Sequence, residues 1–280
     1  MKLRRILREV DKRLYTSIRY LNLFHRQPNS LLRYTRNIYS QVGDDGIIEY
    51  IFNKIGVKKG FFVEFGAFDG IGLSNTYHLF EKGWDGALIE ADKEAFKTLR
   101  KNYEGKNNVV CIHEFVTYDE NDTRGMIFDA IADRYFPDEH IDFLSIDVDG
   151  MDYRVFESIR RRPTVVAVEG GWGWHPLFNE KVPDDISRHN LQQPIAVMCE
   201  LGKEKGYEPI CFNQNLYFIK KDLFFHFSHI RNDPISLWKD YWFNMNYDYR
   251  RWVKSERKKE IIRKIEGKEF LYIFFNKRRL

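Results

Sequence analysis

A short apolar strand that ends in a glycine turn is the feature that most limits how this chain can fold. Residues 61–70 read Phe-Phe-Val-Glu-Phe-Gly-Ala-Phe-Asp-Gly. The first five can be buried on both faces, as a central parallel strand requires. Gly66 and Gly70 allow a positive φ and a close approach of the backbone to a ligand. Ser74 and Asn75 can cap a helix that starts near them, so the segment predicts a strand, a ligand-binding turn and a helix.

The glycine spacing and two acids indicate which ligand the turn suits. Gly-x-x-x-Gly differs from the Gly-x-Gly-x-x-Gly that seats a dinucleotide pyrophosphate. Glu64, directly before the turn, disfavours a phosphate and suits an ammonium group. The next strand, residues 86–90, ends on Glu90, where a Rossmann-like sheet holds the carboxylate that accepts both ribose hydroxyls. Taken singly, the turn could be an ordinary loop and Glu90 a helix cap; together they predict a zwitterionic nucleoside ligand.

Length, composition and cysteine usage exclude several classes of protein. The chain has 280 residues, of which 43% are hydrophobic, enough for one large α/β domain with appendages. No apolar run approaches about 18 residues and the N-terminus lacks a signal-peptide core, so we expect a cytoplasmic protein without a transmembrane span. Cys111, Cys199 and Cys211 are widely spaced, which favours buried thiols over a zinc site or disulfides.

The charge is unevenly distributed along the chain. Residues 1–26 carry +6 and residues 250–280 carry +8, so an overall charge of +4 leaves −10 for the middle. An acidic body argues against a nucleic-acid groove around the site. Apolar residues at helical spacing, with arginines between them, predict an amphipathic helix in residues 1–26. We expect this helix to dock on its own domain or on a second subunit, or alternatively on an anionic membrane surface.

Strands and helices alternate through the middle of the chain. The predicted strands span residues 61–65, 86–90, 109–112, 141–146, 164–168, 207–212 and 215–219. The predicted helices run from Asp44 or Asp45 as the cap to Gly56, and over residues 76–82, 93–103, 124–134, 153–160 and 191–205. This order predicts an α/β fold: a mostly parallel sheet with an antiparallel last strand and helices on both faces. We expect a basic helix and linker over residues 1–37, the α/β domain over 38–224, and an aromatic and basic helical extension over 225–280.

Acidic residues end or follow several predicted strands: Glu64, Glu90, Asp147, Asp149 and Glu169. The carboxyl ends of parallel strands share one edge of a sheet, so these side chains should converge. Clustered carboxylates repel one another unless a cation or a proton lies among them. One interpretation is therefore a magnesium site held by Asp147, Asp149 and Glu169. The alternative is that Asp147 orders the cofactor, Asp149 and Asp152 cap the next helix, and no metal binds.

A loop with two tryptophans follows Glu169 directly. Glycines alternate with Trp172 and Trp174, and large flat rings stack on sugar faces or nucleobases. The position at the rim favours a substrate platform, although both rings could instead fill the core. His175 is a candidate base, or else a structural histidine.

Together these motifs resemble the FkbM-like family of S-adenosylmethionine (SAM)-dependent methyltransferases, in the branch that opens with Ser-Gln-x-Gly-x-Asp-Gly. The likeness covers roughly residues 38–224. The matching segments are residues 40–46, 60–70, 73–77, 144–153, 163–169, 205–207 and 217–223.

The resemblance implies a Rossmann-like class I methyltransferase with a seven-stranded sheet and O-methylation, often of sugars. It implies that Glu64, Gly66 and Asp69 contact the methionine part of SAM, Glu90 the ribose, and that Gln41 reaches into the same pocket. The remaining residues of the predicted cofactor site are Ala67, Ser74, Asn75 and Asp147. Because some related sugar methyltransferases use Mg²⁺, the magnesium site is supported by analogy.

We therefore predict a SAM-dependent O-methyltransferase that acts on a hydroxyl of a sugar or glycan intermediate. Such a hydroxyl does not ionise at pH 7, so a metal or a positioned base is needed, with Asp147, Asp149 and His175 as candidate catalytic residues. One alternative is an RNA or nucleotide methyltransferase, suggested by the basic termini; another is a catalytically silent binding protein. We expect a glycan acceptor and no nucleic-acid partner, with membrane contact or homo-oligomer formation through residues 1–26.

Overall fold

The computed structural model describes residues 30–171, 174, 176–184 and 192–244. Within these ranges the α-helices are α1 (Asp44–Ile55), α2 (Tyr77–Glu81), α3 (Lys93–Asn102), α4 (Phe128–Tyr135), α5 (Asp152–Ser158), α6 (Ile195–Glu204) and α7 (Pro234–Asn244). Two 3-10 helices span Leu31–Tyr34 and Lys221–Phe227. The strands are β1 (Phe61–Phe65), β2 (Asp85–Glu90), β3 (Val109–His113), β4 (Val116–Thr117), β5 (Met126–Ile127), β6 (Ile141–Ile146), β7 (Val165–Glu169), β8 (Tyr207–Asn213) and β9 (Asn215–Lys220). The amphipathic helix predicted in residues 1–26 lies outside the described residues.

Seven of the strands form one sheet in the order β3-β2-β1-β6-β7-β9-β8. The first five are parallel, and β9 runs antiparallel to both of its neighbours. This is the strand order of a Rossmann-like class I methyltransferase, so the predicted fold class is confirmed. The strand order reverses between β1 and β6. An open α/β sheet has its ligand crevice at such a point.

Burial explains why these segments form the sheet. All five residues of β1 are buried, and so are four of the five in β7, as a sheet covered on both faces requires. Leu31 and Leu32, from the predicted linker, pack into the same core as the strands, and so do Leu237 and Tyr241 of α7. The domain boundaries at residues 37 and 224 stay predictions.

Two helices begin later than the sequence predicts. The segment predicted as a helix from Arg124 instead contains β5, because the N–H of Met126 donates to the carbonyl of Phe115 and β5 pairs with β4. The helix predicted from Leu191 begins at Ile195, with Pro194 as its N-cap. Proline disfavours helical backbone in the residue before it, which explains the late start.

The start of α1 also differs from the prediction. Gly43, with φ at +90°, is the N-cap, and neither Asp44 nor Asp45 caps the helix. The predicted stop is confirmed: the N–H of Gly56 donates to the carbonyls of Phe52 and Asn53 in a left-handed C-cap. Both acids therefore direct their side chains to other partners.

Two further expectations concern membrane spans and cysteines. None of the described helices has the length and hydropathy needed to cross a bilayer. Cys111, Cys199 and Cys211 are free thiols; the last two are buried and the first is half-buried.

Candidate functional site

The turn after β1 lies against the ends of the two neighbouring strands. Gly66 has φ at +65°, and a Cβ there would collide with the carbonyl oxygen of Asp147, the residue after β6. The N–H of Ala67 donates to the carbonyl of Ile89 in β2. Glycine at position 66 therefore lets the chain leave β1 between β2 and β6, at the point where the crevice opens.

Glu64 is buried beneath this turn. Its carboxylate accepts hydrogen bonds of 2.7 Å from the hydroxyls of Ser74 and Thr76 and from the N–H of Asn75. Burial raises the pKa of Glu64, and these three bonds partly offset the effect. Ser74 also accepts from the N–H of Tyr77 at the start of α2, but Thr76 is the N-cap of this helix, so the prediction that Ser74 and Asn75 cap it is wrong. Glu64 thus anchors residues 74–76 to β1, and its contact with the methionine part of SAM stays a prediction.

Glu90 is held at the end of β2 by two backbone amides. Oε2 accepts from the N–H of Phe68 and Oε1 from the N–H of Asp92, both at 2.7 Å. Each carboxylate oxygen keeps further acceptor capacity after one such bond. The carboxylate is therefore oriented by the protein and can still accept hydrogen bonds from two neighbouring hydroxyls of a ligand.

Asp69 organises the second half of the turn. Its Oδ1 accepts from the N–H groups of Ile71 and Gly72, at 2.9 and 2.8 Å. The end of α3 fastens the same stretch, because Asn102 donates to the carbonyl of Asp69 and the Tyr103 hydroxyl donates to that of Gly70. Asp69 is engaged with its own loop in this structure, so its predicted contact with the cofactor stays a prediction.

The Ser-Gln-x-Gly-x-Asp-Gly motif forms the opposite wall of the crevice. Ser40 pairs with Leu73 in an isolated parallel bridge, so the segment before α1 lies beside the loop that follows β1. Gly46 is required because a Cβ there would collide with the carbonyl of Tyr34. This arrangement places Gln41 in the lining of the cleft described next, and its predicted contact with the cofactor stays a prediction.

A polar cleft opens between the motif and the strand ends. The residues that line it are Gln41, Val42, Asp44, Leu73, Asn75, Asp147, Glu169, Gln214 and Asn215. Carboxylates and amides predominate, with two apolar side chains among them. Such a surface offers many hydrogen-bond acceptors and donors to a ligand rich in hydroxyls.

Asp44, at the floor of this cleft, is buried and was not predicted as a site residue. It accepts hydrogen bonds from the side-chain amides of Asn213 and Asn215, at 2.9 and 3.4 Å. Burial raises the pKa of Asp44 to about 6, in spite of these bonds. The cleft therefore has an acid that titrates not far below neutral pH.

The three acids predicted to bind a metal come together. Oxygen atoms of Asp147, Asp149 and Glu169 all lie within 4.8 Å of one another. Loss of hydration and then the charge of Glu169 raise the pKa of Asp147 far above its ordinary range; loss of hydration and the charge of Asp152 raise that of Glu169. A proton or a cation must therefore be shared in this cluster near neutral pH. The donor set, three carboxylates of two neighbouring strand ends, fits a hard divalent cation such as Mg²⁺.

Gln192 ties the acid cluster to the start of α5. Its side-chain amide donates 2.8 Å hydrogen bonds to Asp152 and to Glu169. Asp152 also accepts from the N–H groups of Val148 and Gly150, and so shapes the loop that carries Asp149. Asp152 lies inside α5 rather than capping it, and Met151 is the N-cap.

The aromatic loop is described only in part. Trp174 is buried, its ring stacks on Phe178, and its Nε1 donates to the carbonyl of Gln192 at 2.8 Å. This geometry favours the packing alternative for Trp174, and its role as a substrate platform stays a prediction. Trp172 and His175 lie outside the described residues.

Sequence reasoning missed Asp44, Gln192, Gln214 and Asn215 as site residues. The run Asn213-Gln214-Asn215 at the β8–β9 turn, three amides in a row, is the one signal that could have pointed to the rim. Gln192 and Asp44 have no such signal, since their partners are distant in sequence.

Comparisons with known proteins add a likeness of fold. No protein-family model matches the chain, and no curated protein matches it. Among solved structures, a SAM-dependent methyltransferase from Aquifex aeolicus is 14% identical with a TM-score of 0.37, over 61% of this chain and 88% of that one. A TehB-like SAM-dependent methyltransferase from Corynebacterium glutamicum is 13% identical with a TM-score of 0.37, over 74% and 99%. A candidate caffeoyl-CoA O-methyltransferase from Staphylococcus aureus is 15% identical with a TM-score of 0.44, over 72% and 97%. With TM-scores this low the likeness carries no argument about activity.

Proposed function

We propose that this protein is a SAM-dependent O-methyltransferase whose acceptor is a hydroxyl of a sugar or glycan intermediate. The observation that carries the proposal is the carboxylate of Glu90, fixed at the end of β2 by the N–H groups of Phe68 and Asp92. An oriented carboxylate beside a glycine turn suits the vicinal hydroxyls of a ribose. The fit to SAM rests on this pair of features.

The polar cleft supports the proposed class of acceptor. Gln41, Asn75, Gln214 and Asn215 contribute amide groups, which can donate to and accept from hydroxyls. The same cleft contains Asp147 and Glu169, so an acceptor there meets acids rather than the basic surface that a nucleic acid needs. This supports a neutral polyol over RNA.

Each residue then has a chemical role. When bound, SAM supplies a methyl group activated by its positively charged sulfur. Glu90 would hold the ribose, and the turn from Gly66 to Gly70 would contact the ligand. A carboxylate oxygen of Asp147 takes the proton from the acceptor hydroxyl, with His175 as the alternative base. The raised pKa of Asp147 makes its carboxylate a stronger base than an ordinary aspartate, once it is ionised.

A magnesium ion at Asp147, Asp149 and Glu169 remains part of the proposal as a second route to the same end. A dication there would keep the three acids ionised and lower the pKa of an acceptor hydroxyl. Asp147, Asp149 and Glu169 would hold the ion, and its charge would offset the repulsion among their carboxylates.

A methyl-transfer assay with alternative acceptors tests the proposal. Purified protein and isotopically labelled SAM are incubated with a panel of mono- and oligosaccharides and, in parallel, with total RNA. We expect label on a saccharide hydroxyl and none on RNA, and a rate at least about 100-fold lower for Asp147→Asn, the usual worth of a general base. Label on RNA alone would favour the nucleotide methyltransferase, and SAM binding without transfer to any acceptor would favour the silent binding protein.

A further inference from the structure

We propose that the ring of Phe68 forms a wall of the nucleoside pocket and packs against the adenosine part of SAM, an inference that rests on the function proposed above. Within this turn, the residues predicted to bind the cofactor are its neighbours Gly66, Ala67 and Asp69. Three observations carry the inference: the backbone of Phe68, the exposure of its ring, and its hydrogen bond to Glu90.

The backbone of Phe68 is strained. Its φ is +51°, a left-handed conformation that is unfavourable for a bulky residue and easy for glycine or asparagine. Among the described residues, the other non-glycine residues with positive φ are Leu73, Asp149, Gln192 and Gln214. Leu73 and Gln214 line the cleft, Asp149 belongs to the acid cluster beside it, and Gln192 donates a hydrogen bond to Glu169 of that cluster. Strain of this kind collects at functional sites because the surrounding structure must maintain it.

The ring of Phe68 does little for the folded core. The residue is 59% exposed, so most of its apolar surface gains nothing from folding. Asparagine at this position would remove both the strain and the exposed apolar surface while keeping the backbone N–H. The native choice of phenylalanine is therefore explained by something that covers the ring after folding.

The hydrogen bond to Glu90 identifies what covers it. The N–H of Phe68 donates to Oε2 of Glu90 at 2.7 Å, so the Cα of Phe68 lies beside the carboxylate proposed to hold the ribose hydroxyls. A nucleoside bound to Glu90 is then within reach of the ring. Aromatic side chains pack readily on nucleobases and on sugar C–H faces.

Calorimetric titration with S-adenosylhomocysteine and with adenosine tests the role of the ring. We expect Phe68→Asn to weaken the binding of both ligands by about tenfold, the usual loss of one base–aromatic contact. Phe68→Tyr should bind both within about twofold of the native protein. The urea midpoint of Phe68→Asn should be equal to or above the native value, because the substitution relieves the left-handed strain.

Phe225→Asn is the matched control. Phe225 is 66% exposed and follows β9, which runs antiparallel to β7 and so ends at the opposite edge of the sheet. The Phe225→Asn protein should bind both ligands with the affinity of the native protein. Unchanged affinity of Phe68→Asn for both ligands, whatever its urea midpoint, would overturn the inference and leave the proposed function standing. A native protein that binds neither ligand would overturn both.

Discussion

Oδ2 of Asp45 accepts hydrogen bonds from both the N–H and the hydroxyl of Ser40, at 2.9 and 2.7 Å. The same oxygen accepts from the N–H groups of Ile38 and Tyr39. The segment before α1 therefore wraps around this one oxygen, which accepts four hydrogen bonds from residues 38–40. Because Ser40 pairs with Leu73, this carboxylate also fixes the wall of the crevice that faces the turn after β1.

Removal of the Asp45 carboxylate should destabilise the protein strongly. Asp45→Ala leaves three backbone donors and a hydroxyl without their acceptor, so we expect the free energy of unfolding to fall by about 3 kcal/mol. Ser40→Ala loses one bond of the set and should cost about 1 kcal/mol. Urea unfolding of the three proteins gives both numbers; equal losses in the two variants would show that Asp45 does not organise the segment.

The sequence and the structure differ at Asp45 for a physical reason. An acid at the start of a helix is predicted to be its cap, because that rule considers only neighbours within one turn. The partners of Asp45 lie five to seven residues upstream, in a segment that backbone hydrogen bonds of Arg36 with Gly43 and Gly46 hold against the start of α1. Only the folded chain shows which donors reach the carboxylate.

The sheet and its acidic rim were predictable because they depend on short-range patterns. Apolar strands alternate with helices, and parallel topology then places Glu90, Asp147 and Glu169 on one edge. The second layer of the site was not predictable in this way. Asn215 meets Asp44 across 171 positions of sequence, and Gln192 meets Asp152 across 40.

The raised pKa of Asp44 predicts a pH dependence of stability. Burial moves the pKa from 3.8 to about 6, so the folded state binds the proton more tightly than the unfolded chain. The protonated carboxyl of Asp44 therefore contributes to the free energy of unfolding below about pH 4, and this contribution is lost as the pH rises through about 6. The loss amounts to roughly 2 to 3 kcal/mol.

Asp44→Asn cannot ionise and serves as the reference. The native protein should lose stability relative to Asp44→Asn between pH 4 and about 6, whatever constant offset the altered hydrogen bonds to Asn213 and Asn215 introduce. Urea unfolding at a series of pH values measures the difference. A difference that stays constant over this range would mean that Asp44 titrates normally in the folded protein.

Chelation tests whether the cluster of Asp147, Asp149 and Glu169 holds a metal during turnover. If Mg²⁺ is required, excess EDTA should abolish methyl transfer and leave the affinity for S-adenosylhomocysteine unchanged. Asp149→Asn removes one candidate ligand and should raise the Mg²⁺ concentration needed for half-maximal activity. Full activity in EDTA would leave the three acids as proton acceptors and cofactor ligands only.

The central claim is that the carboxylate of Glu90 binds the ribose of SAM. Calorimetric titration of Glu90→Ala with SAM tests it directly. The two lost hydrogen bonds are charge-assisted and worth about 1.5 to 3 kcal/mol each, so affinity should fall by at least about 100-fold. Glu94→Ala, which removes an exposed acid of α3 paired with Lys97, should bind SAM like the native protein. A folded Glu90→Ala protein with native affinity for SAM would contradict the account.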